Sequence, residues 1–314
     1  MPWDDQIKRR LRLRDLEILM TVIQTGSMGK AADRLNMFQP TISKSIADLE
    51  HALGVCLLDR KPQGVEPTEY GRALLNGGVA VFDELRQAVK NIEFLADPTA
   101  GEVRIGCNPL LAASFASAIA DRLSGSYPRM MFHLATGYVQ ALRHELSERN
   151  VDLLIARRFG PLEDERLSFE VLFDDSCFVV ASAQSPWARR RKITLSELVN
   201  EPWVLAPRGM GSLGLIVTEA FSAVGLAYPR TTMVSDCHQV RMSLLATGRY
   251  LSILPAYALT YPTGCPQLKV LPIELPIVPP VGIVTLKNRT LSPVARLFID
   301  TAREVAKPLA KRKG

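Results

Sequence analysis

A short polar stretch between Gln39 and Ser45 carries the side chains best suited to contact a nucleic acid. Ile42 and Ile46 recur in it at helical spacing, which predicts a helix with one buried face. The outer face holds small polar groups and one cation. Such groups reach base edges and phosphates in a major groove, whereas bulky groups would keep the helix out. The predicted contact residues of this helix are Gln39, Pro40, Thr41, Ser43 and Lys44.

Two preceding helices are needed to position that face. Leu16, Leu19, Met20 and Ile23 form an apolar stripe that predicts a helix over 14–25. Ser27 follows a break at Thr25-Gly26 and can cap a second helix over 28–35. A tight turn at 36–38 leads to the third helix, which begins near Gln39 with Pro40 in its first turn, where a missing N–H costs little. This order is a helix-turn-helix, and we also count Ser27 among its DNA-contacting residues.

Two short extended pieces follow, over 56–68. They predict a β-wing around Lys61-Pro62-Gln63-Gly64, with Arg60 and Lys61 facing phosphate. Thr68 then caps a long helix that runs to about Leu95. Apolar residues recur on it every seven positions, which predicts self-pairing along one seam. The seam residues are Leu75, Phe82, Leu85, Val89 and Ile92, with Gly78 in the same register.

The bulk properties describe an ordinary globular chain of about two domains. It has 314 residues, 47% of them hydrophobic and 22% charged, and a formal net charge of +6. Five cysteines without a CxxC spacing predict reduced thiols in a cytoplasm. No apolar run is as long as a membrane span, and the opening MPWDDQIKRR lacks the apolar core of a signal peptide. We therefore expect a cytoplasmic protein without a membrane partner.

The texture of the chain changes after the small-residue linker ADPTAG at 96–101. Short apolar runs then alternate with helical patterns, which indicates βαβ units with mostly parallel sheets. The proline-rich run at 271–280 predicts an extended connection. The strand-like runs are EVRIG, MMFHLATG, VDLLIA, SCFVVAS, PWVLAP, YLSILP and VGIVTL.

Taken together, these motifs resemble those of the LysR-type transcription regulators. The resemblance is carried by RDLEILMTVIQTGSMGKAADRLNMFQPTISKSIADLEHALGVCLLDR and PTEYGRALL, and it runs the length of the chain. Phe38 departs from the family, which usually has serine there, and Glu69-Tyr70 stands where alanine or threonine is usual. The stretches ITLSELVNEPWVLAP and LLATGRYLSILP are similar to a subgroup that includes a galactose-binding-protein regulator and regulators of aromatic-acid catabolism.

The resemblance implies an N-terminal all-α winged helix-turn-helix with a long linker helix, and a C-terminal α/β domain built like a periplasmic binding protein. The DNA-binding domain would span 1–67, the dimerisation helix and hinge 68–101, and the effector-binding domain 102–314. Its first lobe would comprise 102–165 and 268–302, and its second lobe 172–264. An effector would lie in the cleft between the lobes.

Strand ends followed by helix starts mark that cleft, because ligands of open α/β sheets bind beyond the carboxyl ends of strands. Free N–H groups at helix starts favour an acidic effector. Arg157 and Arg208 follow strands and could each pair with an anion, or else form a structural ion pair. Cys107 and Cys237 could be neighbours that sense oxidation, although two ordinary buried thiols explain them as well. The candidate effector residues are Asn108, Pro109, Thr136, Tyr138, Arg157, Arg208, Gly209, Ser212, Asp236 and His238.

Two other classes compete with a regulator. Gly209-Met210-Gly211-Ser212-Leu213-Gly214 fits GxGxxG after a strand, and Asp236 follows it as a nicotinamide site would require. The C-terminal lobes alone would also suit a transport-type solute-binding protein. The four histidines have no metal-ligand spacing and no G-x-S-x-G elbow is present, so we expect no metal, no cofactor and no enzyme activity.

The sequence therefore predicts a DNA-binding transcription regulator controlled by a small molecule. It would form at least a dimer and bind an interrupted palindromic operator in double-stranded DNA. RNA polymerase would be a further partner if the protein activates transcription.

Overall fold

The computed structural model describes residues 11–62, 64–158, 164–208, 211–260, 267–275 and 278–310, with the backbone alone for Gly211 and Ser212. Residue contacts divide the chain into two compact units. The division falls between Arg86 and Gln87, inside one long helix.

The first unit opens with the three predicted helices: α1 (Leu13–Thr25), α2 (Met28–Leu35) and α3 (Gln39–Leu53). α1 ends at Gly26, whose φ of 65° is the left-handed conformation that glycine adopts without strain. Ser27 caps α2 as predicted, because its hydroxyl accepts a hydrogen bond from the backbone N–H of Lys30 at 3.4 Å. The three predicted helices are confirmed.

One apolar core holds these helices together. Leu19 and Val22 of α1, Ala31 of α2, and Ile42 and Ile46 of α3 are completely buried in it. Each such side chain contributes about 1.5–3 kcal/mol to stability when aliphatic and fully removed from water, less for alanine. The buried set on α3 determines which of its faces remains outside.

The wing is a hairpin of β1 (Leu58–Lys61) and β2 (Gly64–Pro67), with Gln63 outside the described residues. The Glu50 carboxylate accepts hydrogen bonds from the backbone N–H groups of Leu57 at 2.7 Å and Leu58 at 3.2 Å, which ties the start of the wing to α3. The backbone N–H of Val65 donates to Gly26 at 2.8 Å. A Cβ on Gly64 would lie 2.7 Å from the same Gly26 oxygen, so this approach requires glycine.

The long helix α4 (Glu69–Ala96) follows, and Thr68 caps it as predicted. The Thr68 hydroxyl accepts from the N–H of Gly71 at 3.1 Å and donates to the carbonyl of Cys56 at 2.8 Å. A Cβ on Gly71 would lie 2.1 Å from the Leu57 carbonyl oxygen. Glycine therefore lets the first turn of α4 pack directly on the wing.

The second unit contains two five-stranded sheets, one in each lobe. The first has the order β4-β3-β5-β12-β6 and is flanked by α12 on a core that includes Ile105, Phe115 and Phe298. Its strands are β3 (Ala100–Cys107), β4 (Arg129–Thr136), β5 (Leu153–Arg157), β6 (Leu167–Asp174) and β12 (Pro280–Leu286). Its helices are α5 (Pro109–Leu111), a π-helical turn (Ala112–Ala116), α6 (Ser117–Ser126), α7 (Val139–Ser147) and α12 (Pro293–Ala310).

The second lobe has the sheet order β11-β7-β10-β8-β9. Its core centres on Trp203, which is completely buried, donates its indole N–H to Leu198 at 2.7 Å and meets Phe221 edge to face. Its strands are β7 (Cys177–Ser182), β8 (Trp203–Leu205), β9 (Thr231–Val234), β10 (Leu251–Pro255) and β11 (Leu268–Val270). The helices between them are a 3₁₀ turn (Pro186–Arg189), α8 (Leu195–Leu198), α9 (Gly211–Ser222), α10 (His238–Ala246) and α11 (Ala256–Thr260).

The structure confirms the two-lobed fold but corrects three predictions within it. All seven predicted strands exist, whereas β6, β9 and β11 were not predicted. The sheets are mixed rather than mostly parallel, because β12, β6, β7 and β11 pair antiparallel with their neighbours. The lobe boundaries also move. β6 pairs with β12, so the first lobe extends to Asp174 instead of 165, and β11 pairs with β7, so 268–270 belong to the second lobe.

Candidate functional site

The predicted contact face of α3 points outward. Gln39, Pro40, Thr41 and Lys44 are exposed and Ser43 is half-buried, while Ile42 and Ile46 on the other side are buried. No ion pair among the described residues includes Lys44, and the Asp15 and Asp48 carboxylates line the same groove without reaching ion-pair distance of it.

Ser45, by contrast, is engaged within the unit: its hydroxyl donates to the Asp15 carboxylate and joins α3 to α1. Ser45, which ends the predicted polar stretch, is therefore held within the unit. Beside it lies a groove of about 520 Å³ that also includes Arg12, Arg14 and Lys44. The two arginines place further cations beside the α3 face, and they were not among the predicted contact residues.

Phe38 is the residue just before α3, and its side chain is 83% exposed. An aromatic ring so fully in water gains nothing from the core of its own unit. It lies at the end of the helix from which bases are normally contacted, and an apolar ring there suits a thymine methyl group.

The wing cations differ from each other. Arg60 is exposed, and no ion pair holds it within the described part of the chain. Lys61 is exposed as well, but its ammonium donates to the Glu66 carboxylate, and this hydrogen bond raises the pKa of Lys61. Lys61 is therefore a weaker candidate for phosphate than expected. The side chain of Ser27 caps α2 and is half-buried.

An apolar stripe runs along the outer side of α4. Leu85, Val89 and Ile92 of the predicted seam are 45%, 52% and 65% exposed, and Val81 and Leu95 extend the stripe in both directions. The first part of the predicted seam differs. Leu75 and Phe82 are half-buried, and a Cβ on Gly78 would lie 3.2 Å from the Met20 sulfur, so Gly78 faces α1 of the same chain.

A cavity of about 340 Å³ lies in the second unit, where residues that follow strands of both sheets converge. Six predicted effector residues line it. They are Asn108, Pro109, Tyr138, Arg157, Asp236 and His238.

Arg157 is buried and forms an ion pair with Asp175, which is also buried. Its guanidinium lies 5.6 Å from the centre of the Tyr257 ring. Burial opposes the charge, but Tyr257 and Asp175 raise the pKa of Arg157 above its usual value. The positive charge at this end of the cavity is thus already matched by a protein carboxylate.

His238 and Arg241 lie one turn apart on α10 and are both buried, with 6% and 3% of their surfaces exposed. Among the described residues, neither ring nitrogen of His238 has a hydrogen-bond partner, and Arg241 Nε has none either. Burial lowers the pKa of His238 to about 4, and the charge of Arg241 adds to this effect. Burial also lowers the pKa of Arg241.

Two further predicted residues are held by hydrogen bonds. The Tyr138 hydroxyl, which follows a first-lobe strand, donates to the Asp236 carboxylate of the second lobe at 3.1 Å. The Asn108 side-chain oxygen accepts from the N–H groups of Leu110 and Leu111 at 3.0 and 2.9 Å.

The remaining predictions fare differently. Thr136 is exposed and does not line the cavity, and Arg208 stacks on the Tyr228 ring at 4.9 Å instead. Gly209 and the side chain of Ser212 lie outside the described residues. Arg241 and Tyr257 line the cavity but were not predicted. The spacing of three between His238 and Arg241 was the available signal, because it puts both on one helix face.

Cys107 and Cys237 were expected to be either neighbours that sense oxidation or two ordinary buried thiols, and only Cys107 is buried. Cys107 is buried and does not line the cavity, and burial raises its pKa to about 12, so a thiolate is strongly disfavoured. Cys237 is exposed and lies 3.4 Å from the Gln239 side-chain oxygen.

The GxGxxG match has a packing explanation at its last glycine. A Cβ on Gly214 would lie 2.2 Å from the Pro207 carbonyl oxygen, so close packing of α9 on the preceding loop requires glycine there. Asp236 at the same time accepts from Tyr138. Among the described residues, no group of three His, Cys, Asp or Glu side chains could hold a metal ion. No helix in that part of the chain is both long and apolar enough to span a membrane.

Comparison with known proteins assigns the family. Residues 13–72 match the bacterial regulatory helix-turn-helix of the lysR family, and residues 96–307 match the LysR substrate binding domain. The chain is 28% identical to the regulator GbpR of Azospirillum brasilense over 98% of this chain and 90% of that one. It is similar to full-length OxyR of Pseudomonas aeruginosa (TM-score 0.66, 22% identity, 97% and 99% covered). It is also similar to CbnR bound to its target DNA (TM-score 0.55, 20% identity, 95% and 100% covered).

The chain belongs to the LysR family of transcription regulators. It is a DNA-binding regulator with an effector-binding domain, and its partners are operator DNA, a small-molecule effector and further copies of itself. This family consists of transcription regulators rather than enzymes.

The state of His238 makes stability depend on pH. Its pKa is about 4 in the folded protein against 6.5 as the ordinary value, so between these pH values the unfolded chain binds more protons. Acidification from pH 7 to 5 should therefore remove about 2 kcal/mol of folding free energy through this residue. Urea unfolding followed by tryptophan fluorescence should show that loss reduced in His238→Gln.

The matched control is His144→Gln, because His144 is an exposed residue of α7. It should lose stability on acidification as the wild type does. Equal pH dependence in wild type and His238→Gln would contradict the buried, neutral state assigned to His238.

Proposed function

We propose that the outer face of α3 contacts base edges in the major groove. The observation that carries the proposal is the outward polar set Gln39, Thr41, Ser43 and Lys44, which takes no part in the core that Ile42 and its neighbours form. Polar side chains of this size fit between a helix and the groove floor. Pro40 begins the helix, and Ser27 holds the start of α2.

Phosphate contacts would come from cations around this face. Arg60 on the wing and Arg12 and Arg14 beside the α3 groove are the best placed, with Lys61 in a lesser role because Glu66 pairs with it. Such contacts supply affinity without sequence information and release counterions, so binding should weaken steeply with salt.

Self-association through α4 would present the face twice. The exposed stripe from Val81 to Leu95 supports pairing with the same helix of a second copy, with Leu75 and Phe82 at its margin. A two-fold protein binds an interrupted palindrome whose half-sites are one or more helical turns apart.

Control would come from a small molecule in the cavity that Arg157, His238 and their neighbours line. A ligand changes the activity only if it binds one arrangement of the protein better than another. If the protein activates transcription, RNA polymerase is the partner that receives the signal. In this scheme the functional parts are a DNA-binding region at 1–67, a linker at 68–101 and an effector-binding region at 102–314.

We further infer that the chain catalyses no reaction and needs no metal or cofactor, and that it acts in the cytoplasm. The inference on location follows from its DNA partner, which a bacterial regulator meets there. Gly214 supports the absence of a nicotinamide site, because packing alone explains that glycine.

Removal of the Lys44 charge tests the contact face. Lys44→Ala should weaken binding to the protein's own promoter region by about 1 kcal/mol or more, because an exposed lysine without a protein partner can be removed without loss of packing. Fluorescence anisotropy at several salt concentrations would measure the affinity and its salt slope.

Lys287→Ala is the control, since Lys287 is an exposed lysine of the second unit. It should bind as the wild type does. Unchanged affinity in Lys44→Ala would remove Lys44 from the contact face.

Phe38 should contribute sequence preference through a thymine methyl group. Replacing thymine by uracil at the contacted operator position removes only that methyl group. The replacement should therefore weaken operator binding by the wild type but not by Phe38→Ser. Phe38→Leu, which keeps an apolar side chain, should retain part of the effect. If no thymine-to-uracil change in the half-site distinguishes wild type from Phe38→Ser, the ring makes no such contact.

A charge in the apolar stripe should separate the protomers. Leu85→Glu would place a carboxylate where two apolar helices pair, and sedimentation velocity should show a smaller species. Asn76→Glu, at an exposed polar position on the opposite side of α4, should sediment as the wild type does. A Leu85→Glu protein of unchanged size would refute the stripe as the interface.

A further inference from the structure

We propose that the cavity of the second unit binds a small monoanionic organic acid, whose carboxylate is held by Arg241 and His238. This inference rests on the proposed effector role of the cavity and specifies the chemical class of the effector.

The buried positive charges of the cavity are only partly matched by carboxylates. Two arginines line the cavity, and both are buried. Arg157 is matched by the buried Asp175 carboxylate. Arg241 is 3% exposed, and no carboxylate of the described residues lies within ion-pair distance of it, so the Asp236 carboxylate acts on it only from further away. A buried charge without a counterion is costly, so the site is completed when an anion enters.

Several hydrogen-bond donors meet where Arg241 and His238 line the cavity. Arg241 Nε has no hydrogen-bond partner, and neither has either ring nitrogen of His238. A neutral imidazole offers one N–H donor, and a guanidinium offers a planar pair that fits both oxygens of a carboxylate. His238 begins α10, where backbone N–H groups that the Cys237 side chain does not cap add to the positive potential, and Arg241 lies one turn further along the helix.

The other charges around the cavity limit the ligand to one negative charge. Asp236 lies at the edge of the cavity, exposed and hydrogen-bonded to Tyr138, and its carboxylate would repel a second anionic group. Arg157 cannot serve that group without losing Asp175. A neutral sugar, on the other hand, would leave Arg241 without a counterion.

The wall and the volume of the cavity restrict the rest of the ligand. Much of the remaining wall is apolar, and the volume of about 340 Å³ is at the lower end for a small-molecule site. A compact acid with an apolar or aromatic body therefore fits better than an extended polar ligand. The apolar wall is formed by Pro109, Leu110, Val139, Pro207 and Leu213.

Thermal unfolding and titration calorimetry of the full-length protein test this with acetate and benzoate as monoanions, phthalate as a dianion and glucose as a neutral ligand, all at constant ionic strength. Benzoate should raise the unfolding midpoint of the wild type most, and acetate should do so weakly. Arg241→Met should unfold at the same or a higher temperature without ligand, because it removes an unmatched buried charge. It should bind benzoate about tenfold more weakly or worse.

Arg241→Gln is the second variant, should the methionine variant not fold, and it should lose benzoate binding likewise. Arg208→Met is the matched control, because Arg208 stacks on Tyr228 and does not line the cavity. It should bind benzoate as the wild type does. Three outcomes would each overturn the inference: equal benzoate binding in the Arg241 variants, phthalate or glucose stabilising as well as benzoate, or no response to either monoanion.

Operator binding by the same proteins separates this inference from the regulator function. Benzoate should change promoter binding by the wild type and by the Arg208→Met control, whereas it should not change promoter binding by Arg241→Met. If promoter binding holds while both monoanions fail, only the ligand class is wrong. If the wild type shows no preference for its promoter region, the regulator proposal itself fails.

Discussion

Burial of one side of α3 is the constraint on which the first unit depends. Ile42, Ile46 and Leu49 can leave water only if the helix packs against α1 and α2 in one rotational setting. With about 3.6 residues per turn, that setting also determines that Gln39, Thr41 and Lys44 point outward. The apolar core and the proposed DNA-contacting face are therefore two consequences of the same helix orientation. Glu50 extends the arrangement to the wing, because its carboxylate anchors the backbone where β1 begins.

The second unit uses charge in a comparable way. Around the cavity, Arg157 is satisfied by Asp175, whereas Arg241 and His238 on α10 are buried without such partners. Burying Arg241 and His238 without partners costs stability, and packing alone would not require two such residues there. The Tyr138–Asp236 hydrogen bond joins residues that follow strands of the two lobes, so the proposed ligand would lie close to a contact between the lobes. Ligand chemistry and lobe arrangement are thus connected through a few neighbouring side chains.

Local sequence predicted the first unit almost completely, because its signals are local. The apolar spacing, the Ser27 and Thr68 caps and the helix-ending turn at Gly26 each act within a few residues. The second unit depends on pairings between distant segments. Arg157 and Asp175 meet because β5 and β6 flank β12, with Val281 opposite both Arg157 and Phe173, and no spacing in the sequence reveals that neighbourhood. β9 and β11 have four and three residues, too few to show a period. Arg241 could not be predicted from strand ends, because it lies one turn inside the helix that His238 begins.

The central claim is that the outer face of α3 distinguishes one duplex sequence from another. The most direct measurement is the affinity of the full-length protein for its own promoter region and for a scrambled duplex of equal length, both titrated over a range of salt concentrations. Base contacts add to the phosphate contacts without increasing the number of counterions released. We therefore expect tighter binding to the promoter region than to the scrambled duplex, with a similar salt slope. The preference for the promoter region should persist at moderate salt. Equal affinities for the two duplexes throughout the range would contradict it.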